Sequence, residues 1–258
     1  MKAPTAPASL LDGKVAIVTG ASMGIGQATA IYFAAAGAHV ALAARSATAI
    51  EEIAESIARS GGTAVAIATD VTNEDSVAEL VAKTVERFGQ LDCAVNNAGM
   101  NPTHFGAIEE YPMEEFRAIC EVKVYGVAYC LKHEIAAMKA AGRGGSIVNH
   151  SSIVGIRGHG GIYPAASASQ AAVIGMTLSS AASCAQHRIR VNALAIGAVA
   201  TGHLGSMTAQ EQAPILAGVP LGRLATGEDV AAACAYFCSD QSTWITGALL
   251  PVEGGALV

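Results

Sequence analysis

Three glycines follow the first apolar run of the chain and lie within seven residues of one another. Residues 15–19 read Val-Ala-Ile-Val-Thr, and Gly20, Gly24 and Gly26 come after them. Glycines at this spacing let the backbone turn tightly, approach a pyrophosphate closely and pack a helix against a sheet. A helical pattern begins at once, so its free N–H groups and partial positive charge would face the phosphates. The spacing therefore predicts a dinucleotide-binding turn between a strand and a helix.

The elements that must position this turn follow from the alternation of apolar runs with helix-like segments. Continuous apolar strands are buried on both faces, which implies a parallel sheet covered by helices on each side. The helix predicted over residues 73–88 places Val77, Leu80 and Val81 on one face and charged residues on the other. The predicted strands span residues 15–19, 39–44, 64–69, 93–96, 146–150, 190–194 and 248–251. No repeat or linker interrupts them, so we predict a single α/β domain over residues 10–258 with about seven strands.

The composition is that of a chain with a large buried core. Of 258 residues, 52% are hydrophobic and 14% are charged, and the net charge of −6 disfavours a nucleic acid as partner. Residues 1–9 contain two prolines and lack the apolar core of a signal peptide, so we expect a flexible leader there. No uncharged apolar run is long enough to span a bilayer. We therefore expect a cytoplasmic protein without a membrane partner.

The six cysteines are dispersed and lie inside apolar segments, unlike the dense disulfide framework of a small secreted protein. We predict that they are buried free thiols. Cys234 and Cys238 lie one helical turn apart and could share a metal ion, but no histidine or carboxylate cluster accompanies them. We therefore predict no metal site.

Several motifs occur in order along the chain. The first is Thr-Gly-x-x-x-Gly-x-Gly, formed by Thr19 and the three glycines. The others are Asp70-Val71 after the third predicted strand, Asn96-Asn97-Ala98-Gly99 after the fourth, Ile189-Arg190-Val191-Asn192 into the sixth, and Pro220-Leu221-Gly222-Arg223 with Ile245-Thr246-Gly247 near the C-terminus. Together they resemble the short-chain dehydrogenase/reductases over about residues 10–258. The resemblance implies a Rossmann-type doubly wound fold, a nicotinamide dinucleotide cofactor, a small-molecule substrate and a homo-oligomer, either a tetramer or a dimer.

The resemblance assigns cofactor contacts to residues at the ends of the predicted strands. Asp70 would hydrogen-bond the adenine amino group, and residues 97–99 would line the adenosine ribose. A carboxylate at a helix N-terminus is the alternative interpretation of Asp70. The remaining positions that the resemblance implies are Gly20, Ser22, Met23, Gly24, Ile25, Gly26, Val71, Asn97, Ala98, Gly99, Gln170, Gly197, Val199 and Thr201.

Arg45 follows the second predicted strand, where the preference between the two nicotinamide cofactors is decided. A carboxylate there would bind the ribose 2′-OH of NAD and repel the 2′-phosphate of NADP. An arginine can instead pair with that phosphate through two parallel hydrogen bonds. We therefore expect NADP(H) rather than NAD(H). A solvated loop residue is the alternative interpretation of Arg45.

The catalytic positions of the family are changed in this chain. Family members use a tyrosine as general acid and base, a lysine four residues later, a serine that orients the substrate carbonyl, and an asparagine on the preceding helix. Ser152 matches the serine. Ala166, Gln170 and Lys123 stand at the tyrosine, lysine and asparagine positions, with one extra residue in the loop before Ala166. Ile196 also replaces a proline, so the resemblance implies a remodelled site.

Several ionisable side chains could take over the proton transfer or the oxygen contacts. The ammonium group of Lys123 could hold a substrate oxygen or the cofactor ribose, or it could snorkel to solvent. Tyr163 could act as an acid, or it could pack at a helix entry with Pro164 in the first turn. His150 lies at the end of the fifth predicted strand, and an unperturbed imidazole titrates near neutral pH, although a structural role is its alternative. His159 is a further candidate acid.

These features predict an NADP(H)-dependent oxidoreductase with an atypical proton-transfer site, acting on a small carbonyl, alcohol or imine-type substrate. Hydride transfer to a carbonyl places charge on its oxygen that must be neutralised, whereas a charged iminium needs little acid help. Two other functions stay open, because a fold does not determine a function. One is a lyase, isomerase or dehalogenation-type enzyme on the same fold, and the other is a nucleotide-binding subunit without turnover. The retained cofactor motifs and Ser152 favour the oxidoreductase.

Overall fold

A computed structural model of the protein describes residues 5–7, 9–158 and 161–258, so part of the predicted leader and the candidate acid His159 lie outside the described residues. Its strands within these ranges are β1 (Val15–Thr19), β2 (His39–Ala44), β3 (Thr63–Ala68), β4 (Cys93–Asn96), β5 (Gly145–Ser152), β6 (Ile189–Ile196) and β7 (Leu249–Val252). They form one parallel sheet in the order β3-β2-β1-β4-β5-β6-β7. The order reverses between β1 and β4, which is where ligands bind in doubly wound folds. The predicted doubly wound α/β fold is confirmed.

Most strand boundaries agree with the predicted ones, but β5 and β6 are longer. Both continue to Ser152 and Ile196, which are partners in the register of the two strands. His150, the last residue of the predicted strand, therefore lies inside β5, opposite Leu194, and not at its end. The apolar pattern predicts too early an end for β5 because the last side chains of the strand are polar. These side chains are buried, and their polar atoms are satisfied by hydrogen bonds.

Helices connect the strands and flank the sheet. Those in the described residues are α1 (Gly24–Ala35), α2 (Ala47–Arg59), α3 (Glu74–Phe88), α4 (Met113–Cys120), α5 (Gly126–Ala141), α6 (Pro164–Cys184), α7 (Gly202–Ser206), α8 (Ala209–Leu216) and α9 (Gly227–Cys238). A π-helical turn over Glu121–Tyr125 joins α4 to α5. Asn73 caps α3 by accepting a hydrogen bond from the Ser76 amide at 3.1 Å, which fixes the start of the helix predicted there. None of these helices combines the length and the apolar composition needed to cross a membrane.

Hydrophobic cores lie on both faces of the sheet. On one face α1 and α9 pack together, and Phe33, Leu42 and Phe237 are buried there. On the other face Leu80 of α3 and Ile147 of β5 are buried with residues of α5 and α6. Because both faces are filled by side chains, the carboxyl ends of the strands are the part of the sheet left for a ligand.

A buried carboxylate lies directly behind the end of β4. Glu134 of α5 is 1% exposed, and its Oε2 accepts a hydrogen bond from Asn96 Nδ2 at 3.0 Å. Asn96 Nδ2 also donates to Asn149 Oδ1 at 3.0 Å, and Asn149 Nδ2 donates to Thr177 Oγ1 at 2.9 Å. Desolvation raises the pKa of Glu134 to about 7, against the opposing effect of the hydrogen bond from Asn96. The network ties α5 and α6 to the sheet one residue before Asn97.

Replacing Glu134 by glutamine should remove a pH-dependent cost to stability. The unfolded glutamate loses its proton near its ordinary pKa of 4.5, whereas the folded carboxyl keeps it until about pH 7. The folded state therefore binds more protons between these values, and its stability falls as the pH rises through them. We expect the stabilisation by E134Q to be about 3 kcal/mol larger at pH 8 than at pH 4. Denaturant unfolding at the two pH values measures this difference.

The exposed Glu86 on α3 provides the matched control for this substitution. E86Q should change the free energy of unfolding by less than about 0.5 kcal/mol at either pH. Glutamine at position 134 keeps an oxygen for Asn96 Nδ2, so the variant preserves both packing and the hydrogen bond. An effect of E134Q that is equal at pH 4 and pH 8 would contradict the raised pKa.

Candidate functional site

The glycine-rich turn between β1 and α1 has the backbone that close approach to a phosphate requires. Gly20 and Gly24 have φ angles of 66° and 59°, in the left-handed region that other residues rarely adopt. A Cβ atom on Gly26 would overlap the Gly20 carbonyl oxygen and lie 2.5 Å from Asn97 Nδ2. Met23 precedes α1 without capping it, so no side chain occupies the first-turn N–H groups. The residues present therefore fit the pyrophosphate of a dinucleotide.

Asn97 fastens the end of β4 to this turn. Its Nδ2 donates to the carbonyl oxygens of Thr19 and Gly20, at 2.8 and 3.2 Å. The main-chain N–H groups of Asn97 and Ala98 both donate to Thr19 Oγ1, at 3.0 and 3.1 Å. A Cβ atom on Gly20 would lie only 2.7 Å from Asn97 Nδ2, so the two segments are in direct contact. The structure thus brings together the glycine-rich turn and the segment after β4, for both of which cofactor contacts are predicted.

Four more of the residues predicted to contact the cofactor lie near these segments or in the loop after β3. Ser22 and Ile25 are half-buried in the turn, and Gly99 is exposed after β4. Val71 is buried, and a Cβ atom on Gly126 would lie 3.0 Å from Val71 Cγ2. Val71 therefore packs the loop after β3 against the first residue of α5.

Asp70 and Arg45 lie beyond the ends of β3 and β2, where the adenosine part of the cofactor is expected. Asp70 Oδ1 accepts hydrogen bonds from the N–H and the hydroxyl of Thr72, at 3.0 and 2.8 Å. These bonds, together with the charge of Arg45, hold the pKa of Asp70 below its ordinary value. The side chain that caps α3 is that of Asn73, and the Asp70 N–H donates to Ser76 Oγ in the first turn of that helix at 3.1 Å. Arg45 is exposed and makes no ion pair with any described residue.

Gly197, Val199 and Thr201 follow β6, and Thr201 contacts the glycine-rich turn. A Cβ atom on Gly197 would lie 2.7 Å from Glu253 Cβ, so glycine is required where the chain passes the C-terminal segment. Val199 is 6% exposed. A Cβ atom on Gly24 would lie 3.4 Å from Thr201 Cβ, which places Thr201 directly against the glycine-rich turn.

Lys123 is buried beside Gly99, on the π-helical turn between α4 and α5. The residue is 6% exposed, and its Nζ donates to the His150 carbonyl oxygen at 3.0 Å. A Cβ atom on Gly99 would lie 3.1 Å from Lys123 Cε and 3.4 Å from Nζ, so the ammonium group lies next to the segment predicted to contact a ribose. The alternative that Lys123 snorkels to solvent is therefore wrong. Desolvation lowers the pKa of Lys123 to about 8.

His150 is enclosed in the interior and is 3% exposed. Its Nδ1 lies 3.1 Å from Asn97 Oδ1, and its Nε2 lies 3.0 Å from Cys234 Sγ. Desolvation, and to a smaller extent the charge of Lys123, lowers the pKa of His150 to about 3. The ring is therefore neutral at neutral pH with both nitrogens engaged, which favours a structural role over the proton transfer predicted for it.

Ser152 and Tyr163 lie at the two ends of the loop between β5 and α6. Ser152 is half-buried, and its Oγ donates to the Ile196 carbonyl oxygen at 3.1 Å. Tyr163 precedes α6, whose first residue is Pro164, as the helix-entry interpretation predicts. The Tyr163 ring packs edge to face on Phe105, with the ring centroids 5.4 Å apart. Phe105 lies in a loop without a periodic pattern, so the sequence gives no signal for this contact.

Ala166 and Gln170 lie one turn apart on α6, so the helical register assumed for them is confirmed. The Gln170 carbonyl oxygen accepts a hydrogen bond from Ser151 Oγ at 3.0 Å, and a Cβ atom on Gly155 would lie 2.8 Å from Gln170 Cβ. Gln170 Oε1 is buried and has no hydrogen-bond partner among the described residues. A buried acceptor without a partner is costly, and a donor on a bound ligand would satisfy it. Gln170 therefore fits the cofactor contact predicted for it.

The cysteines are free thiols, and five of the six are buried, whereas Cys120 is half-buried. Cys234 contacts His150, and burial raises the pKa of its thiol. Sequence reasoning missed this contact because it joins β5 to α9 across 84 residues of chain. In the ranges that the structure covers, no three histidine, cysteine, aspartate or glutamate side chains are grouped so that they could hold a metal ion.

The comparisons with known proteins agree on one family. A family model described as enoyl-(acyl carrier protein) reductase matches residues 20–256. Cis-4-hydroxycyclohexanecarboxylate dehydrogenase of Sinomonas cyclohexanicum is 40% identical over 242 residues, which cover 94% of this chain and 96% of that protein. 2,5-dichloro-2,5-cyclohexadiene-1,4-diol dehydrogenase of Sphingobium indicum is 38% identical over 251 residues, which cover 95% of this chain and 97% of that protein.

Solved structures give the same result. A short-chain type dehydrogenase/reductase from Mycobacterium marinum matches with a TM-score of 0.87 and 34% identity, covering 95% of this chain and 96% of its own. Another from Mycobacterium ulcerans matches with a TM-score of 0.91 and 28% identity, covering 96% and 90% of the two chains. The chain therefore belongs to the short-chain dehydrogenase/reductase family, as its motifs predict. Its relatives are oxidoreductases, and the family uses NAD(P)(H).

Proposed function

We propose that the protein is an NADP(H)-dependent oxidoreductase that interconverts a small, ring-containing secondary alcohol and its ketone. Two relatives that match nearly the whole chain are named as dehydrogenases of hydroxylated six-membered rings, which supports this substrate class. The glycine-rich turn and the uncapped start of α1 support a dinucleotide. The exposed Arg45 after β2 supports the 2′-phosphate of NADP.

The observation that carries the proposal is the burial of the Lys123 ammonium group beside Gly99. A lysine has three N–H donors, and the His150 carbonyl oxygen takes one of them, which leaves two for the cofactor ribose and the substrate oxygen. Its pKa of about 8 suits a general acid near neutral pH, because the group is protonated there and still gives up its proton readily. In this proposal Lys123 supplies the charge and the proton that relatives obtain from tyrosine and lysine.

The remaining groups orient the reacting atoms. A bound nicotinamide dinucleotide would supply the hydride for reduction and take it up in oxidation. Ser152 Oγ, at the end of β5, turns its single hydrogen from the Ile196 carbonyl oxygen to the substrate oxygen, and Lys123 Nζ delivers a proton to that oxygen in reduction and removes it in oxidation. The neutral amine then regains its proton from water. Gln170 Oε1 accepts a hydrogen bond from a ribose hydroxyl, which satisfies the unpaired oxygen.

Replacing Arg45 by alanine should weaken the binding of NADP(H) and leave the binding of NAD(H) nearly unchanged. The guanidinium group is exposed after β2, where only the 2′-phosphate distinguishes the two cofactors. Losing charge-assisted hydrogen bonds to that phosphate should raise the Kd of NADPH by about 10- to 100-fold. Titration of R45A with NADPH and NADH, followed by nicotinamide fluorescence, measures both values.

Arg59, the last residue of α2, provides the control, because R59A removes one exposed positive charge as R45A does, but at the opposite end of the helix that follows Arg45. R59A should leave both Kd values within about twofold of the unmodified protein. Equal weakening of NADPH and NADH by R45A would mean that Arg45 does not contact the 2′-phosphate. No change in either value would favour the solvated loop interpretation.

Turnover with a panel of substrates tests the reaction class. The protein is incubated with NADPH or NADP⁺ and cyclohexanone, 4-oxocyclohexanecarboxylate, a β-oxoacyl thioester, a cyclic imine or the matching alcohols, and the absorbance of reduced nicotinamide is followed. We expect turnover with at least one ring ketone, and faster turnover than with the thioester. If NADPH binds but its redox state never changes, a non-redox enzyme or a nucleotide-binding subunit becomes the better account.

We also propose that the chain acts in the cytoplasm as a homodimer or homotetramer. Exposed apolar side chains near the C-terminus support the oligomer, with Trp244 99% and Leu250 37% exposed in the isolated chain. Light scattering of the purified protein measures the mass, and a monomer at micromolar concentration would contradict the oligomer.

A further inference from the structure

A series of hydrogen bonds runs from the glycine-rich turn into α9. Asn97 Nδ2 donates to the carbonyl oxygens of Thr19 and Gly20, and Asn97 Oδ1 faces His150 Nδ1 at 3.1 Å. On the other side of the ring, His150 Nε2 faces Cys234 Sγ at 3.0 Å. His150 is 3% exposed and Cys234 is completely buried, so these contacts are shielded from competing water.

The partners determine which ring nitrogen of His150 carries the proton. Two carbonyl oxygens face Asn97 Nδ2, so the oxygen of the Asn97 amide must point at His150. An amide oxygen only accepts, and therefore the proton lies on His150 Nδ1. In the neutral ring Nε2 is then an acceptor, and it takes the hydrogen of the Cys234 thiol. Each polar atom of the ring is paired in this one arrangement.

Moving Asn97 would disturb the glycine-rich turn directly. A Cβ atom on Gly20 or Gly26 would lie 2.7 or 2.5 Å from Asn97 Nδ2, so the amide fills the space beside both glycines. The amide also supplies hydrogen bonds at the end of β1. A side chain that holds the Asn97 oxygen from behind therefore restricts the turn itself.

We propose that His150 is a positioning residue for the nucleotide-binding turn, which it holds through the Asn97 amide while Cys234 sets the orientation of its ring. The inference rests on the nucleotide binding proposed above. It is independent of the proton transfer assigned to Lys123, because Lys123 contacts the main-chain oxygen of His150 and not its ring. An aliphatic side chain at this buried strand position would fill the space but could not hold the amide.

Two substitutions at position 150 separate this role from packing. H150L removes both ring contacts, and we expect the Kd of NADPH to rise about tenfold because the buried hydrogen bond that holds the Asn97 amide against the turn is lost. H150N places an amide N–H donor where Nδ1 stands, since both nitrogens are bonded to Cγ, and should restore the Kd to within about threefold. His39 is half-buried at the amino-terminal end of β2, whereas the glycine-rich turn lies at the carboxyl ends of the strands. H39L should therefore bind NADPH as the unmodified protein does.

The tautomer can be measured without any variant or ligand. In a ¹⁵N-histidine-labelled sample at pH 7, we expect His150 to give the chemical shifts of a ring protonated at Nδ1 and not at Nε2. A proton on Nε2, equal NADPH binding by H150L and the unmodified protein, or equally weak binding by H150L and H150N would overturn the inference. If the unmodified protein itself fails to bind NADPH, the proposed function fails together with it, whereas normal binding with unaffected variants removes only the role of His150.

Discussion

Replacing Lys123 by methionine should lower kcat for ketone reduction by about 10²- to 10⁴-fold, the range that general acid catalysis contributes. Methionine has a similar length and no charge, so it fills the buried space beside Gly99 without offering a proton or a hydrogen bond. Steady-state rates with NADPH and the best ketone of the panel measure the loss. KM for the ketone should change much less than kcat, because the proton is needed mainly in the transition state.

Two other substitutions show whether the loss belongs to Lys123. K139M removes an exposed lysine from the neighbouring α5 and should keep kcat within about twofold. Y163F removes only a hydroxyl group and keeps the ring that packs on Phe105, so it should keep kcat within about threefold if Lys123 carries the proton. A loss in Y163F as large as the one expected for K123M would instead assign the proton to Tyr163.

The Tm of K123M tests whether unfolding causes any loss of activity. The pKa of Lys123 falls from its ordinary value of 10.5 to about 8 on folding, so burying the ammonium group costs stability below pH 8. That cost disappears as the pH rises from about 8 to 10.5. Methionine carries no such cost, and we expect K123M to keep or increase the Tm at pH 7. An inactive variant that is also strongly destabilised would contradict this account.

Replacing Gly26 by alanine should abolish nucleotide binding. The added methyl group would overlap the Gly20 carbonyl oxygen and lie 2.5 Å from Asn97 Nδ2. One of these atoms belongs to the backbone and the other is fixed by a hydrogen bond to Thr19, so a change of side-chain rotamer cannot relieve the overlap. The turn must open, so we expect the Kd of NADPH to rise at least about 100-fold and the free energy of unfolding to fall by about 1 to 3 kcal/mol. Fluorescence titration and denaturant unfolding measure the two effects.

Gly175 in the middle of α6 is the matched control. A Cβ atom there meets nothing within 4 Å, so G175A tests the loss of a helical glycine without a collision. We expect G175A to stabilise the protein by about 0.5 to 1 kcal/mol and to leave nucleotide binding unchanged. If G26A binds NADPH as well as G175A does, the turn is not the phosphate site.

The elements around the glycine-rich turn could be predicted because local patterns determine them. The apolar run of β1, the glycines and the amphipathic α3 each carry their own signal over a few residues. Strand β5 departs from this rule. Its last residues are polar, and what keeps them in the strand is pairing with β6 and hydrogen bonds to distant side chains, which no local pattern records.

The residue types at single positions made part of the site predictable. The tertiary contacts of these residues could not be predicted from the sequence. The types of Lys123, Ala166 and Gln170 indicated a changed proton-transfer group, but only packing shows that the Lys123 ammonium group is buried. His150 was interpreted from the ordinary titration of an imidazole. Its partners Asn97 and Cys234 come from other parts of the chain and determine its neutral state.

The buried carboxylate Glu134 illustrates the same limit. Its neighbours in sequence on α5 place it near the sheet, but its pairing with Asn96 joins residues that are 38 positions apart. Helical periodicity puts position 134 on the same face as the buried Cys130, Leu131 and Met138, whereas a glutamate by its type is expected in solvent. Its burial and its raised pKa follow from tertiary contacts.

The pH dependence of kcat in the unmodified protein and in K123M tests the central claim most directly. If Lys123 delivers the proton, ketone reduction by the unmodified protein is constant at low pH and declines with a pKa near 8, because the ammonium form is consumed as the pH rises. The residual activity of K123M should then show no transition near that pH. The same transition near pH 8 in both proteins would contradict the assignment of the proton to Lys123.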